Sequence, residues 1–202
     1  MKILQGFLIF MGALAVLAVA ALIVGYVMML LTPDSRANMR PVALSSEAVD
    51  SLTKKLSDIR KETAAAEGSK TAKQVRLVIT EEEVNSTIVM ALAEGTMPAK
   101  EMLVNFNDGY LLTYTAWSFP GLPVKTGLIG TLEADKGKPK FVIRDFYLGR
   151  LPVPDGVDMG VQEWVNILFQ LNAPMEEMNF DLKEVTIGDG QLILAGTTKT
   201  GK

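Results

Sequence analysis

The chain has 202 residues and a net charge of −3, from 20 Lys plus Arg against 23 Asp plus Glu, and contains neither His nor Cys. Without His or Cys it cannot form a disulfide, the usual zinc, copper or iron–sulfur sites, or Ser-His or Cys-His nucleophilic machinery. An isoelectric point of about 5.1 and the lack of any basic tract exclude the electrostatics of a nucleic-acid partner. Any remaining chemistry would need carboxylates, Lys, Ser or Tyr, and the expectation is a non-enzymatic protein with no metal, no cofactor and no catalytic residues.

The first element is an uncharged, almost wholly apolar run from Gly6 to Leu31. As a helix rising about 1.5 Å per residue it spans about 39 Å, more than a hydrocarbon core of about 30 Å requires. A cleaved signal is the alternative, because Ala18-Val19-Ala20 has the small-x-small form of a cleavage site. The apolar run continues through Ala21 to Leu31, where a mature soluble N-terminus should begin, so the pattern favours an uncleaved signal anchor. No Cys is present to carry a lipoprotein anchor. Lys2 on one side and Arg36 and Arg40, offset by Asp34, on the other leave the orientation undecided by charge.

Pro33 and Asp34 break the helix, and the segment to about Leu44 reads as a short exposed linker. A helix capped at Ser45 or Ser46 should run to about Ala66, with Val49, Leu52, Leu56 and Ile59 as its apolar stripe. Val75–Thr80 reads as a strand. Thr80 with Glu83 then has capping-box form, opening a helix with Val84, Ile88, Ala91 and Leu92 on one face and Gly95 at its end. Three hairpins follow, turning at Asn107-Asp108-Gly109, at Asp135–Pro139 and at Gly188-Asp189-Gly190. Between the second and third, a helix from about Val157 to Leu171 carries Val161, Trp164, Val165 and Leu168. The predicted fold is α+β: a transmembrane helix (1–32), a linker and amphipathic helix (33–72), and a domain (73–202) in which a curved antiparallel sheet of hairpins packs with two helices.

Few constellations suggest chemistry. Glu81-Glu82-Glu83 reads as acidic residues favoured at a helix start rather than as a cation site, and Asp108-Gly109 and Asp189-Gly190 read as turns. Asn85-Ser86-Thr87 matches a glycosylation sequon but falls inside a predicted helix. The strands are more informative. On Tyr110–Phe119, one face offers Tyr110, Leu112, Tyr114 and Ala116, and the other Leu111, Thr113, Trp117 and Phe119. On Phe141–Leu148, strict alternation gives Phe141, Ile143 and Tyr147 against Val142, Phe146 and Leu148. A half-solvated sheet should be apolar on one face only, so this sheet is either covered twice or lines an apolar groove.

Three segments taken in order carry a family resemblance: Val78–Ala93 (VITEEEVNSTIVMALA), Leu148–Pro154 (LGRLPVP) and Val185–Gly196 (VTIGDGQLILAG). Together they resemble bacterial membrane-anchored or secreted domains of the YpmS-like and LmeA-like kind, families related to the tubular lipid-binding fold. The resemblance implies a domain outside the cytoplasmic membrane, a lipid or polyprenyl-type ligand and no defined reaction. The expected function is a membrane-tethered module that holds or shields an acyl or polyprenyl chain, with Val84, Ile88, Trp117, Trp164 and Leu168 lining the site. The rival expectation is a non-catalytic accessory subunit whose apolar surface meets a membrane-protein partner. The full-length chain is expected to stay in the membrane fraction through alkaline extraction; a mature N-terminus near Ala21 would show a cleaved signal instead.

Overall fold

Helix α1 (Lys2–Leu30) leaves apolar side chains uncovered: Leu14, Leu17, Leu22 and Ile23 are all more than half exposed. The span Ala13–Ala37 holds an 18-residue stretch with a mean hydropathy of 2.8, 0 % of it buried, long and apolar enough to cross a membrane. The computed structural model describes residues 2–66, 72–118, 123–154 and 180–199. The helix expected over Val157–Leu171, with Trp164 and Leu168, lies outside the described residues.

After α1 come α2 (Asp34–Ala37), α3 (Ser46–Ala66), β1 (Gln74–Thr80), α4 (Glu81–Ala93), β2 (Ala99–Asn107), β3 (Tyr110–Trp117), β4 (Lys125–Asp135), β5 (Lys138–Leu148), the two-residue β6 (Leu151–Pro152), β7 (Phe180–Gly188) and β8 (Gln191–Thr198). The fold is α+β. The strands divide between two antiparallel sheets, ordered β2-β3-β4-β5-β6 and β1-β8-β7. Local chemistry sets the hairpins. Gly109 and Gly190 take φ near +80° at their turns, while Lys136 (φ 51°) and Gly137 (φ 81°) make a two-residue turn of the type that matches strand twist. Pro139, expected in that loop, is instead the second residue of β5, paired with Ala134.

The three-stranded sheet lies across one end of the five-stranded sheet. Leu182 N–H donates to Gly137 O at the β4–β5 turn (3.0 Å), and Gly109 N–H at the β2–β3 turn donates to Ile187 O (2.9 Å). Strand β7 therefore crosses the tips of both hairpins. Between the sheets sits the main core, including Val75, Leu77, Phe106, Leu111, Leu132, Phe141, Leu182 and Leu194.

Two β-bulges build this core. In β5 the register slips so that Ile129 faces Asp145 but Gly130 faces Ile143. The extra residue, Arg144, shifts the alternation, and Phe146 and Leu148 join Phe141 and Ile143 on one face, opposite Leu128, Thr126, Leu132 and Gly130. The expected division of β5 into two apolar faces is corrected here, since strict alternation fails across a bulge. The same device in β7, between Leu182 and Glu184, brings Phe180, Leu182, Val185 and Ile187 to one face, all in contact with the core.

Strand β3 is apolar on both faces because it is covered on both. Leu111 belongs to the main core, whereas Leu112 and Tyr114 form a second cluster with Met39. The outer cover is the segment after α1, which the sequence suggested was an exposed linker. Pro33, Ser35 and Met39 are buried in it. Helix α3 docks on the domain through Ile59 and Leu56, and Lys55 Nζ donates to Val78 O at 2.8 Å.

Candidate functional site

Two regions concentrate the chemistry: a polar seam along the open edge of β2, and the end of the five-stranded sheet where α1 attaches. The seam begins with α4. Thr80 Oγ1 accepts from Glu83 N–H (3.2 Å) and Glu83 Oε2 from Thr80 N–H (2.9 Å), the reciprocal capping box expected. At the other end Gly95 takes φ +70°, and Thr96 N–H donates to Ala91 O and Gly95 N–H to Leu92 O, closing the helix with a Schellman motif.

The helix so placed presents Glu81 and Asn85 to β2. Asn85, 0 % exposed, acts as a missing strand. Its Nδ2 donates to Val104 O (2.7 Å) and Glu81 O (2.8 Å), and its Oδ1 accepts from Val104 N–H (2.9 Å). That accounts for a buried asparagine and leaves no accessible glycosylation acceptor. Two residues along β2, Phe106 N–H donates to Glu81 Oε1, while Phe106 O accepts from Arg40 Nη2 (2.8 Å) and Gly190 N–H (2.9 Å). Arg40 Nη2 also donates to Glu81 Oε1 (2.8 Å), Nη1 pairs with Asp189, and Arg40 N–H donates to Asn105 Oδ1 (2.7 Å). The hydrogen bonds to Asp189, then Glu81, raise the Arg40 guanidinium above its ordinary pKa.

The acidic triplet is thus distributed over separate partners. Glu81 holds Arg40 and β2, Glu82 accepts from Ser45 Oγ (2.8 Å), and Glu83 accepts from Ser51 Oγ (2.6 Å) and pairs with Lys55 (2.7 Å). Among the described residues no group of three or more His, Cys, Asp or Glu is arranged to hold a metal ion.

The second region lies where α1 ends. Arg150 N–H, in the β5–β6 turn, donates to Met28 O (2.9 Å), and Gly149 N–H donates to Lys125 O (2.7 Å). Gly149 (φ +60°) is required twice over: its backbone is left-handed, and a Cβ would strike the carbonyl oxygens of Met28 and Met29. Gly127 likewise leaves room for Ser35 and Pro33. Lys125 Nζ donates to Thr32 Oγ1 (3.0 Å), and Arg150 Nε donates to Thr32 O (3.3 Å) and lies 3.1 Å from Asp34 Oδ1. Arg36 pairs with Glu101 (3.2 Å) and stacks 5.4 Å from the Tyr114 ring centroid. Burial, and then Glu101, push the Tyr114 hydroxyl up, with Arg36 opposing. The helix is thereby clamped to the sheet through its last turn.

Of the expected lining residues, Val84 and Ile88 pack half-buried against the main core. Trp117 lies at the α1-side end of β3, paired with Ala99, and donates from Nε1 to Thr126 Oγ1 (3.0 Å). Ala99 and Val104, which Asn85 grips, are five residues apart, about 17 Å along a strand, so the structure does not join Trp117 and Val84 in one cluster. Trp164 and Leu168 fall outside the described residues. A cleft of about 240 Å³ opens beside β5, lined by Arg144, Phe146, Tyr147, Pro152 and Val153 among others. Sequence reasoning missed Arg40, Lys125, Gly149 and Arg150; the Gly149-Arg150 pair inside LGRLPVP was the available signal for the last two. In comparisons with protein-family models, curated proteins and solved structures, none matches the chain.

Burial raises the Glu83 pKa, but hydrogen bonds from Lys55, Ser51 and Thr80 N–H outweigh it and hold the carboxyl below its ordinary value. The folded state then binds fewer protons than the unfolded chain, so this contribution is complete above the ordinary glutamate range, near pH 4.3, and lost as pH falls through the lowered value. Denaturant titrations from pH 7 to 3 should show Glu83→Gln less stable than wild type at pH 7, with the gap closing toward pH 3. A gap that stays constant with pH would contradict the assignment.

Proposed function

We propose that this protein is a membrane-tethered module that holds the apolar chain of a membrane lipid at the α1-side end of its five-stranded sheet. One observation carries the reading: on the inner face of that sheet Phe146, Leu148 and Trp117, beside the uncharged Thr115 and Thr126, extend toward the end where α1 is clamped. The three-stranded sheet covers the opposite end. A chain leaving the bilayer beside α1 would meet this end first. Burying about 300 Å² of acyl surface at about 25 cal/mol per Å² contributes about 7 kcal/mol, so no charged contact is needed for useful affinity. The resemblance to YpmS-like and LmeA-like domains supports the same ligand class and an extracytoplasmic position for the domain, with α1 as a single-pass anchor in the cell membrane.

A second reading, an accessory subunit of a membrane complex, is favoured by a different patch. Leu44, Val89 and Met90 are exposed by 50, 40 and 47 %. Ser45 N–H donates to Ser86 Oγ (3.1 Å), and Val89 and Met90 follow Ser86 at helical spacing, which gathers the three side chains on one surface.

Native mass spectrometry with lipid extraction on the full-length protein separates the readings. Wild type should carry lipid, and Trp117→Ala should retain several-fold less while keeping its circular dichroism spectrum. A lipid-free wild type that co-purifies in a complex dissociated by Met90→Asp would make the accessory reading the better one.

A further inference from the structure

We propose that Lys125 and Arg150, beside the exit of α1, form a binding site for the phosphate of an anionic lipid headgroup in the leaflet from which the helix emerges. The inference rests on the reading of α1 as a membrane span. A span of about 30 Å uses about 20 residues, and the uncharged apolar run from Gly6 to Leu31 is more than long enough for it and ends at Leu31. Thr32, the next residue, then sits at headgroup level, and both cations are fixed to it: Lys125 Nζ by 3.0 Å to its hydroxyl and Arg150 Nε by 3.3 Å to its carbonyl.

The donors are not used up there. An ammonium has three N–H donors and a guanidinium five. Lys125 spends one on Thr32, and Arg150 engages Thr32 and Asp34 through Nε alone, so among the described residues its two terminal nitrogens have no partner. Among the described residues Asp34 is the one carboxylate in contact with the pair, and its side chain is 79 % exposed; one carboxylate cannot neutralise two cations. Complementing the carbonyl end of α1 explains a positive charge here, but the backbone N–H of Arg150 already caps Met28 O, and the planar fork of Arg suits a phosphate oxygen pair. The domain as a whole is acidic, so general attraction to an anionic surface does not account for this local excess.

The test uses full-length protein in nanodiscs of mixed phosphatidylcholine and phosphatidylglycerol, with the lipids retained after gentle release counted by native mass spectrometry. Wild type should retain phosphatidylglycerol preferentially, by about five-fold per basic residue, the worth of one Lys or Arg near an anionic lipid surface. The Lys125→Gln/Arg150→Gln variant should lose that preference, and Lys61→Gln, on exposed α3, should keep it. A wild type that retains both lipids equally overturns the proposal, whatever the fate of the double variant. Displacement of phosphatidylglycerol by inorganic phosphate in detergent would show a soluble-phosphate site and overturn the headgroup assignment. Failure here is distinct from failure of chain holding: equal retention of both lipids that still depends on Trp117 removes only the headgroup site. A preference that survives Trp117→Ala with no loss of lipid removes only the chain-holding reading.

Discussion

The open edge of β2 is the constraint on which the rest depends. Val104 and Phe106 direct their N–H and C=O groups away from β3, into a region covered by α4, and buried backbone groups of this kind must find partners. Three side chains and one backbone N–H from elsewhere in the chain do this: Asn85 and Glu81 from α4, Arg40 from the segment after α1, and Gly190 from the β7–β8 turn. The requirement to seal one strand edge thereby fixes the position of a helix, of the second sheet and of the outer cover. It also gives a physical reason for the Thr-Glu-Glu-Glu-x-Asn opening of α4, in which first and fourth residues close the helix end while second and sixth pair with β2.

Arg40 links this seam to the end of the sheet where α1 attaches. The residues between α1 and Arg40 lie along the outer face of the five-stranded sheet, with Pro33 and Ser35 against Gly127 and Met39 against Leu112 and Tyr114. A helix joined to its domain by a flexible tether could present any face to the bilayer. Here the last turn of α1 rests on Gly149, and Pro33, Ser35 and Met39 after it are buried, so the end of the sheet bearing Trp117, Lys125 and Arg150 is held beside the helix exit. The functional proposals follow from that placement.

Much of the fold was legible because it is local. The Thr80–Glu83 box, the Gly95 terminus and the Asp-Gly turns each depend on a few neighbouring residues, and all have the expected form. The two bulges were not legible: nothing around Arg144 or Lys183 marks an extra residue, and each is set by what the opposing strand can pack. The division into two sheets, and the burial of Pro33, Ser35 and Met39, depend on long-range contacts that periodicity does not encode. The candidate site fared similarly. An apolar helical stripe reads the same whether it lines a groove or fills a core, and Val84 and Ile88 fill a core. Trp117 does stand at the end where α1 attaches, while Lys125 carried no pattern of its own and Arg150 was marked only by LGRLPVP until the fold brought both to Thr32.

The central claim is that this end of the sheet is held at the membrane interface, and depth measures it most directly. Single nitroxide labels at Ser118, beside Trp117, and at Asp108, on the far hairpin tip, can be compared by accessibility to oxygen and to a water-soluble nickel chelate in bilayers containing the full-length protein. The account predicts a headgroup-level environment for the Ser118 label and an aqueous one for the Asp108 label. Equal, fully aqueous values at both positions would contradict it.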